Sequence, residues 1–172
     1  MKLRELQPKD APFMLEWMHD PDVVKHMRRD FASKTLEDCQ QFIQSSKNSE
    51  EDFHCAIVND EDEYMGTVSL KHIREGKAEF GITVRSCAMG KGYARFGMQR
   101  IIEKGFTELD LHEIYWCVAA ENARALRFYD KNGYKRNEMP GNDIYYSPDV
   151  IAKMIWYRIE ADKVKGFSLF NV

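Results

Sequence analysis

Between Val84 and Ala94 a strand pattern runs into a glycine-rich turn and then into a helix. The first turn of a helix leaves N–H groups unpaired and carries a partial positive charge. Gly90 and Gly92 let the backbone come close to an anion, so this junction is built to cradle a pyrophosphate. The segment offering those contacts is Met89, Gly90, Lys91, Gly92, Tyr93, Ala94 and Arg95. A tight turn with no ligand gives the same local pattern, and both readings stay open at this point. Two nucleotide motifs are absent. Gly92 is followed by Tyr93 and Ala94 rather than by a lysine and a hydroxyl residue, and position 95 is Arg rather than glycine. A P-loop NTPase and a dinucleotide dehydrogenase are therefore both disfavoured.

A second constellation runs from Cys117 to Tyr134, with Asn122, Leu126, Tyr129 and Gly133 at its marked positions. Read by itself, Asn122 is a helix N-cap and Leu126 and Tyr129 are a core stripe three residues apart. The two segments together resemble the signatures of the GNAT superfamily of N-acetyltransferases. That superfamily carries Gln/Arg-x-x-Gly-x-Gly/Ala at the strand–helix junction. Gly92 and Ala94 stand at the last two of those positions, while Met89 departs from the first. Its other signature is a strand, an Asn, a helix with Leu-x-x-Tyr, and then Gly-Phe/Tyr, matched here by Asn122, Leu126, Tyr129, Gly133 and Tyr134. The stretch from Leu15 to Val24, with Trp17 ahead of Asp20 and Pro21, is similar to the ribosomal-protein-alanine-acetyltransferase-like branch. The resemblance covers residues 2 to 160.

The resemblance implies acetyl-CoA as acetyl donor and a primary amine as acceptor, joined by direct attack in a ternary complex. It implies that Asn122 helps bind the coenzyme and that the Tyr129 hydroxyl lies near the thioester sulfur. It also implies that the backbone around Val84 holds the pantetheine where the fourth strand leaves the fifth. Such a transfer needs a neutral amine, donors for the developing oxyanion and a proton for the leaving thiolate. Tyr129 is the expected proton donor, since a phenol near its reference pKa of about 10 is protonated at neutral pH. Glu79, on the polar face of its strand with Gly81 and Thr83, is the candidate base; an exposed strand residue or an ion pair is the alternative. No Cys–His arrangement asks for an acyl-enzyme, and Cys87 and Cys117 read as packing residues. A non-catalytic acyl-CoA sensor needs the cradle but not Tyr129 or Glu79, and is the alternative function.

The elements that must position these groups follow from periodicity. Leu3 to Leu6 is a strand, Pro8 opens a helix carrying Phe13, Met14, Trp17 and Met18, and Asp22 to Met27 is a short helical turn. Ser33 or Thr35 caps the next helix, with Leu36, Cys39, Phe42 and Ile43 on one stripe. Strands are expected at Phe53 to Val58, Tyr64 to Ile73 and Ala78 to Val84, as an antiparallel meander. A β-α-β-α-β pattern follows: a helix after Gly92, a strand from Ile114 to Ala119, a helix from Asn122 to Asn132 and strands at Tyr134 to Glu138 and Val150 to Ile159, with a loop from Met139 to Asp149. The fold class is α/β (α+β), one domain over residues 1–172, with a mixed central sheet of about seven strands and helices on both faces. Residues 8 to 48 form a lid over the acceptor pocket, with Trp17, His19, His26, Arg28 and Arg29 as candidate liners.

The bulk numbers set outer limits. The chain has 172 residues, 44% hydrophobic and 31% charged, with a net charge of −3, as in an ordinary globular domain with no global field for nucleic acid or membrane. Five bases against one acid, Glu103, make Arg85 to Lys104 a basic window; Ser49 to Tyr64 is acidic and reads as solvated surface. The four cysteines form no C-x-x-C pair and are expected as free, mostly buried thiols in a reducing cytoplasm. The histidines show no metal-ligand spacing, so no metal is expected. The N-terminus lacks an apolar signal region and no stretch reaches the roughly 18 apolar residues of a membrane span. A protein N-terminus, an amino sugar or another small amine remain open as acceptors, and a homodimer remains open as assembly.

Overall fold

The computed structural model describes residues 1–138 and 146–164. In chain order it has β1 (Lys2–Glu5), a 3-10 turn (Pro8–Asp10), α1 (Ala11–Met18), α2 (Pro21–Val24), α3 (Leu36–Ser46), β2 (Phe53–Val58), β3 (Tyr64–Arg74) and β4 (Lys77–Val84). A second 3-10 turn (Ser86–Ala88) then leads to α4 (Tyr93–Thr107), β5 (Glu113–Ala119), α5 (Ala123–Lys131), β6 (Arg136–Asn137), α6 (Pro148–Ile151), β7 (Met154–Glu160) and α7 (Ala161–Val164). The strands form one seven-stranded mixed sheet in the order β1-β2-β3-β4-β5-β7-β6. Only the β4–β5 pairing is parallel, and α4 is its crossover.

Strand alternation divides the core between two faces. Cys55 and Ile57 of β2, Val68 and Leu70 of β3, and Ala78 and Phe80 of β4 pack with Met98, Ile101 and Ile102 of α4 and Tyr129 of α5. Ala56, Val58 and Tyr64 face the other way, against Met14, Trp17 and Met18 of α1 and Cys39 and Ile43 of α3. The predicted split of β4 into an apolar face and a Glu79–Gly81–Thr83 face holds. The helix starts also follow the sequence: Thr35 and Asp38 form a capping box at α3, and the Asp20 side chain accepts the Asp22 N–H at α2.

Four expectations need correction. Val150 and Ile151 are helical, because Pro148 sits in the first turn of α6, and the last strand begins only at Met154. That strand inserts between β5 and β6, so β6 pairs with β7, and it is shortened to Arg136–Asn137. Of the expected loop from Met139 to Asp149, positions 139–145 lie outside the described residues.

The third concerns the acidic run, whose acids are mostly exposed as expected but several of which are ion-paired. Asp62 binds Arg4 (Nε at 3.0 Å), Lys2 and Lys9, Asp60 meets the N-terminal ammonium, and Glu63 takes Arg85 Nη1 at 2.7 Å. The fourth concerns the cysteines: Cys39 and Cys55 are buried and Cys117 partly so, but Cys87 is exposed on the second 3-10 turn. Among the described residues no helix is long and apolar enough to cross a membrane.

The meander is tightest where Gly66 of β3 faces Val84 of β4. A Cβ there would stand 2.4 Å from the Thr83 carbonyl oxygen and 2.9 Å from Val84 Cα. Backbone cannot yield as a side-chain tip can, so Gly66→Ala should cost about 1–3 kcal/mol of stability, as overpacking does. Urea unfolding measures this; an unchanged midpoint would show that β3 and β4 can separate at that point.

Candidate active site

Strands β4 and β5 share three parallel pairs, Lys77↔Glu113, Ala78↔Ile114 and Glu79↔Tyr115. Beyond Glu79, β4 stays with β3 as far as Val84, and β5 stays with β7 as far as Ala119. The facing edges therefore part, and a cavity of about 700 Å³ opens between them, with Phe80 to Thr83 on one wall and Trp116 to Ala119 on the other. A second cavity of about 680 Å³ lies between the lid helices and β3–β4. The two share Arg29, Phe31, Lys71, His72 and Gly81 to Thr83, so they form one continuous cleft across the sheet.

Glu79 is the last paired residue before the strands part, and it is buried. Its Oε1 accepts Lys71 Nζ at 3.1 Å and the Tyr146 hydroxyl at 2.7 Å, and its Oε2 lies 3.7 Å from His72 Nε2. A bulge in β3 between Lys71 and Arg74 brings His72 here: His72 has φ 54°, a left-handed conformation that is strained for a side-chain-bearing residue. Its N–H is held by Asp52 Oδ1 at 2.9 Å. Arg28 stacks over the Tyr146 ring at 3.9 Å, tying the lid to the C-terminal segment. Burial, and then the Glu79 charge, push the Tyr146 phenol above its ordinary value.

Tyr129 lines the same cavity as Glu79. Its ring is fixed by Trp116 at 5.3 Å, Tyr157 at 5.2 Å and Phe128 at 5.1 Å. Its hydroxyl has no hydrogen-bond partner among the described residues. Burial pushes this phenol above its ordinary value as well, so it is a proton carrier at neutral pH. Asn122 caps α5 through its Oδ1, which accepts the Ala125 N–H at 3.1 Å, and its amide nitrogen stays available to the cavity it lines. The cap and the coenzyme contact expected of it are thus compatible. Cys117 also lines the cavity; burial raises its thiol to about 11, which leaves it a poor nucleophile.

The glycine turn takes the form the cradle needs. Gly90 and Gly92 have φ 75° and 90°, and Gly92 is the N-cap of α4. The helix ladder starts only with the Phe96 N–H on the Gly92 carbonyl, so the amides of the first turn remain free for an anion. Among the bases of this window, Arg85 is buried on Glu16, Glu63 and the Tyr64 carbonyl, Arg100 pairs with Glu103 and Lys104 with Glu108. Lys91 and Arg95 are left at the turn. Met89 turns away from it: its sulfur lies 3.0 Å from Arg124 Nη1 and its chain packs with the lid cluster. Val84 ends β4 opposite Gly66, past the residues that line the cavity.

Of the expected lid residues, Trp17 and Arg29 line the lid cavity and His26, Arg28 and Arg29 the inter-strand cavity. His19 lines neither; it is exposed, with Nε2 2.9 Å from the Lys34 carbonyl. Sequence reasoning missed Lys71, His72, Trp116 and Tyr146. The bulge that turns His72 leaves no signature in residue type, and Tyr146 meets Glu79 across 67 positions of chain.

Comparison with known proteins agrees with this geometry. Residues 1–135 match the family model of the acetyltransferase (GNAT) domain. The chain belongs to the GNAT family. The uncharacterised N-acetyltransferase YnaD of Bacillus subtilis is 31% identical over 135 residues, 78% of each chain. The spermidine N(1)-acetyltransferase of Vibrio cholerae is 24% identical over 136 residues, again 78% of each chain. The crystal structure of the Vibrio cholerae spermidine N-acetyltransferase in complex with CoA and spermine superposes with a TM-score of 0.77 at 22% identity, over 94% of this chain and 96% of that one. As a GNAT enzyme the protein moves the acetyl group of acetyl-CoA to an amine.

The residues present fit such a coenzyme. The parted strands leave backbone groups without a ladder, the first turn of α4 offers free amides, and the buried indole N–H of Trp116, on the cavity wall, has no partner among the described residues. A GNAT coenzyme held at this turn is sensitive to charge there. A Cβ on Gly92 would find only Met1 Cε, at 3.9 Å, so Gly92→Glu should fold, with some left-handed strain. A carboxylate about 5 Å from a pyrophosphate charge costs on the order of 3 kcal/mol in a partly screened site, roughly a hundredfold in acetyl-CoA affinity. Calorimetry on the folded variant is the check, and unchanged affinity would remove the turn from the site.

Proposed function

We propose that the two joined cavities are one active site, with acetyl-CoA along the glycine turn and the parted strands and the amine on the lid side. The observation that carries this reading is that Tyr129 and Glu79, from α5 and β4, line one cavity where the sheet opens. Acetyl-CoA supplies an acyl thioester. In the proposed reaction the amine's lone pair forms the C–N bond as the C–S bond breaks. Glu79 takes the proton the amine loses, directly or through water, and the unpartnered Tyr129 hydroxyl gives one to the departing sulfur. Lys71 and Tyr146 orient the carboxylate, and Asn122 and the free amides of the turn and first helical turn within residues 90–95 hold the coenzyme. A sensor that only bound acetyl-CoA would need neither the aligned Glu79 nor a proton carrier left without a partner.

Two acceptor classes enter here. The Vibrio cholerae relative is a spermidine acetyltransferase, and the likeness of Trp17, Asp20 and Pro21 to the ribosomal-protein-alanine branch suggests a peptide N-terminus. We further propose one catalytic domain over residues 1–172, a cytoplasmic home, supported by the buried free thiols of Cys39 and Cys55, and a homodimer in solution.

Tyr129→Phe keeps the ring packing and removes the proton. It should lower kcat by about 10²–10⁴-fold with little change in melting temperature or acetyl-CoA affinity. A fall of less than about threefold, far below that range, would leave the sulfur to depart without this acid. Glu79→Gln should lower kcat and shift the acidic limb of the pH–rate profile while acetyl-CoA affinity stays near the parent value. An unmoved profile would return Glu79 to a structural ion pair with Lys71.

A further inference from the structure

The lid cavity carries its charges in a definite arrangement. Its carboxylates are Asp30, Asp38 and Asp52 and its cations are Arg29, Lys34 and Lys71, so there is no excess of negative charge. Each carboxylate already accepts an N–H from the chain: Asp30 from Ser33 at 3.2 Å, Asp38 from Thr35 at 2.8 Å and Asp52 from His72 at 2.9 Å. Among the cations, Lys71 is on Glu79, and Lys34 is close enough to Asp30 and Asp38 to interact with both.

Arg29 differs from these. It lines both cavities, at their junction, and its guanidinium has no hydrogen bond or ion pair among the described residues. Its neighbour Arg28 is instead spent on the Tyr146 ring. A polycationic acceptor is favoured by an excess of carboxylates, and this cavity sets three carboxylates against three cations. An unpaired guanidinium is a planar fork that binds a carboxylate or phosphate through two parallel hydrogen bonds. The cavity's 680 Å³ suits a small molecule, and Trp17, Phe31 and Phe42 give it an apolar wall.

We propose that the acceptor is a small primary amine that also carries an anionic group, a carboxylate or a phosphate, held by Arg29 while the amine faces Glu79. This rests on the two-cavity site proposed above. On this reading a polyamine, which carries no anionic group for Arg29, is a poorer acceptor than an anionic amine.

The test follows acetyl-CoA-dependent thiol release with matched amines: amino acids beside their carboxamides, glucosamine 6-phosphate beside glucosamine, and spermidine. In at least one pair the anionic member should exceed its neutral counterpart and spermidine in kcat/KM by about tenfold, the equivalent of one charged hydrogen bond. The pair that shows it separates carboxylate from phosphate. Arg29→Ala should raise KM for that amine about tenfold with the KM for acetyl-CoA unchanged, and Arg29→Lys should recover part of the loss. Arg29 is exposed, so the variants should melt with the parent. Equal use of charged and neutral members, preference for spermidine, or an unmoved KM in Arg29→Ala would each overturn the anion subsite and leave the roles of Tyr129 and Glu79 standing. Absence of thiol release with every amine would overturn both.

Discussion

Past Glu79 and Tyr115 the parallel ladder between β4 and β5 stops, and the backbone groups along the two facing edges lose their partners inside the sheet. Buried N–H and C=O groups without partners are costly, so a sheet opened in this way is stable only if each strand keeps its other neighbour and the gap admits water or a ligand. Both conditions are met: β4 is paired with β3 through Val84 and β5 with β7 through Ala119. The position of the opening then fixes the rest of the site. Glu79 stands at its vertex. The glycine turn follows β4 and Asn122 follows β5, so both of these segments leave the sheet from strands that border the gap. Tyr129 comes two helical turns after Asn122, which brings its ring back to Trp116 on the gap's wall.

The lid is held to this frame by ion pairs that cross between elements. Arg85, buried beside the end of β4, grips Glu16 of α1 with Nε at 3.0 Å and Nη2 at 2.8 Å, reaches Glu63 beside β3, and lies over the Phe13 ring at 4.5 Å. Arg4 makes a two-pronged contact with buried Asp10, at 2.7 and 2.8 Å. Glu16 and Glu63 are close to half exposed, so screening limits what each pair adds to stability. Their value is positional: removing a partner would strand a buried guanidinium, which specifies where α1 must dock. The two cavities meet at β4 because this clamp sets the spacing between lid and sheet.

The fold could be read from the chain where local chemistry decides it. The Ala78–Val84 alternation, the Thr35 capping box, Gly133 closing α5 and the glycine pair before α4 all carry their own physical instructions, and each is seen in place. The end of the chain was harder. A proline after a serine turned Val150 and Ile151 into helix, and the insertion of β7 between β5 and β6 is a tertiary choice that no window of sequence encodes. The proposed site divided in the same way. Glu79, Asn122 and Tyr129 were visible because motif and strand parity point to them. Lys71, His72 and Tyr146 were not, because their contacts with Glu79 depend on a bulge and on a segment distant in the chain. Charge counting misled for a related reason: the basic window looked like a phosphate field, yet Arg85 was already committed to two carboxylates brought in by the fold.

Departures from the rules of a stable domain occur at several places, among them Asp62, Glu75 and Asp110 at positive φ and the buried Glu113 Oε1 without a hydrogen bond, and three lie together at the opened sheet. Among the described residues, His72 sits at φ 54° without being glycine, the buried Trp116 indole N–H has no partner, and the Tyr129 hydroxyl makes no hydrogen bond. All three side chains line the cavity between β4 and β5. Each costs stability where an unstrained residue or a satisfied donor would not. A core assembled for stability alone would have filled the gap with apolar side chains and closed the ladder. A site that must receive an acyl thioester and pass protons needs donors with no competing partner and a backbone bent to aim them. Strain at His72, the unpaired donors of Trp116 and Tyr129 and the opened sheet are the physical features that support placing the proposed reaction centre there.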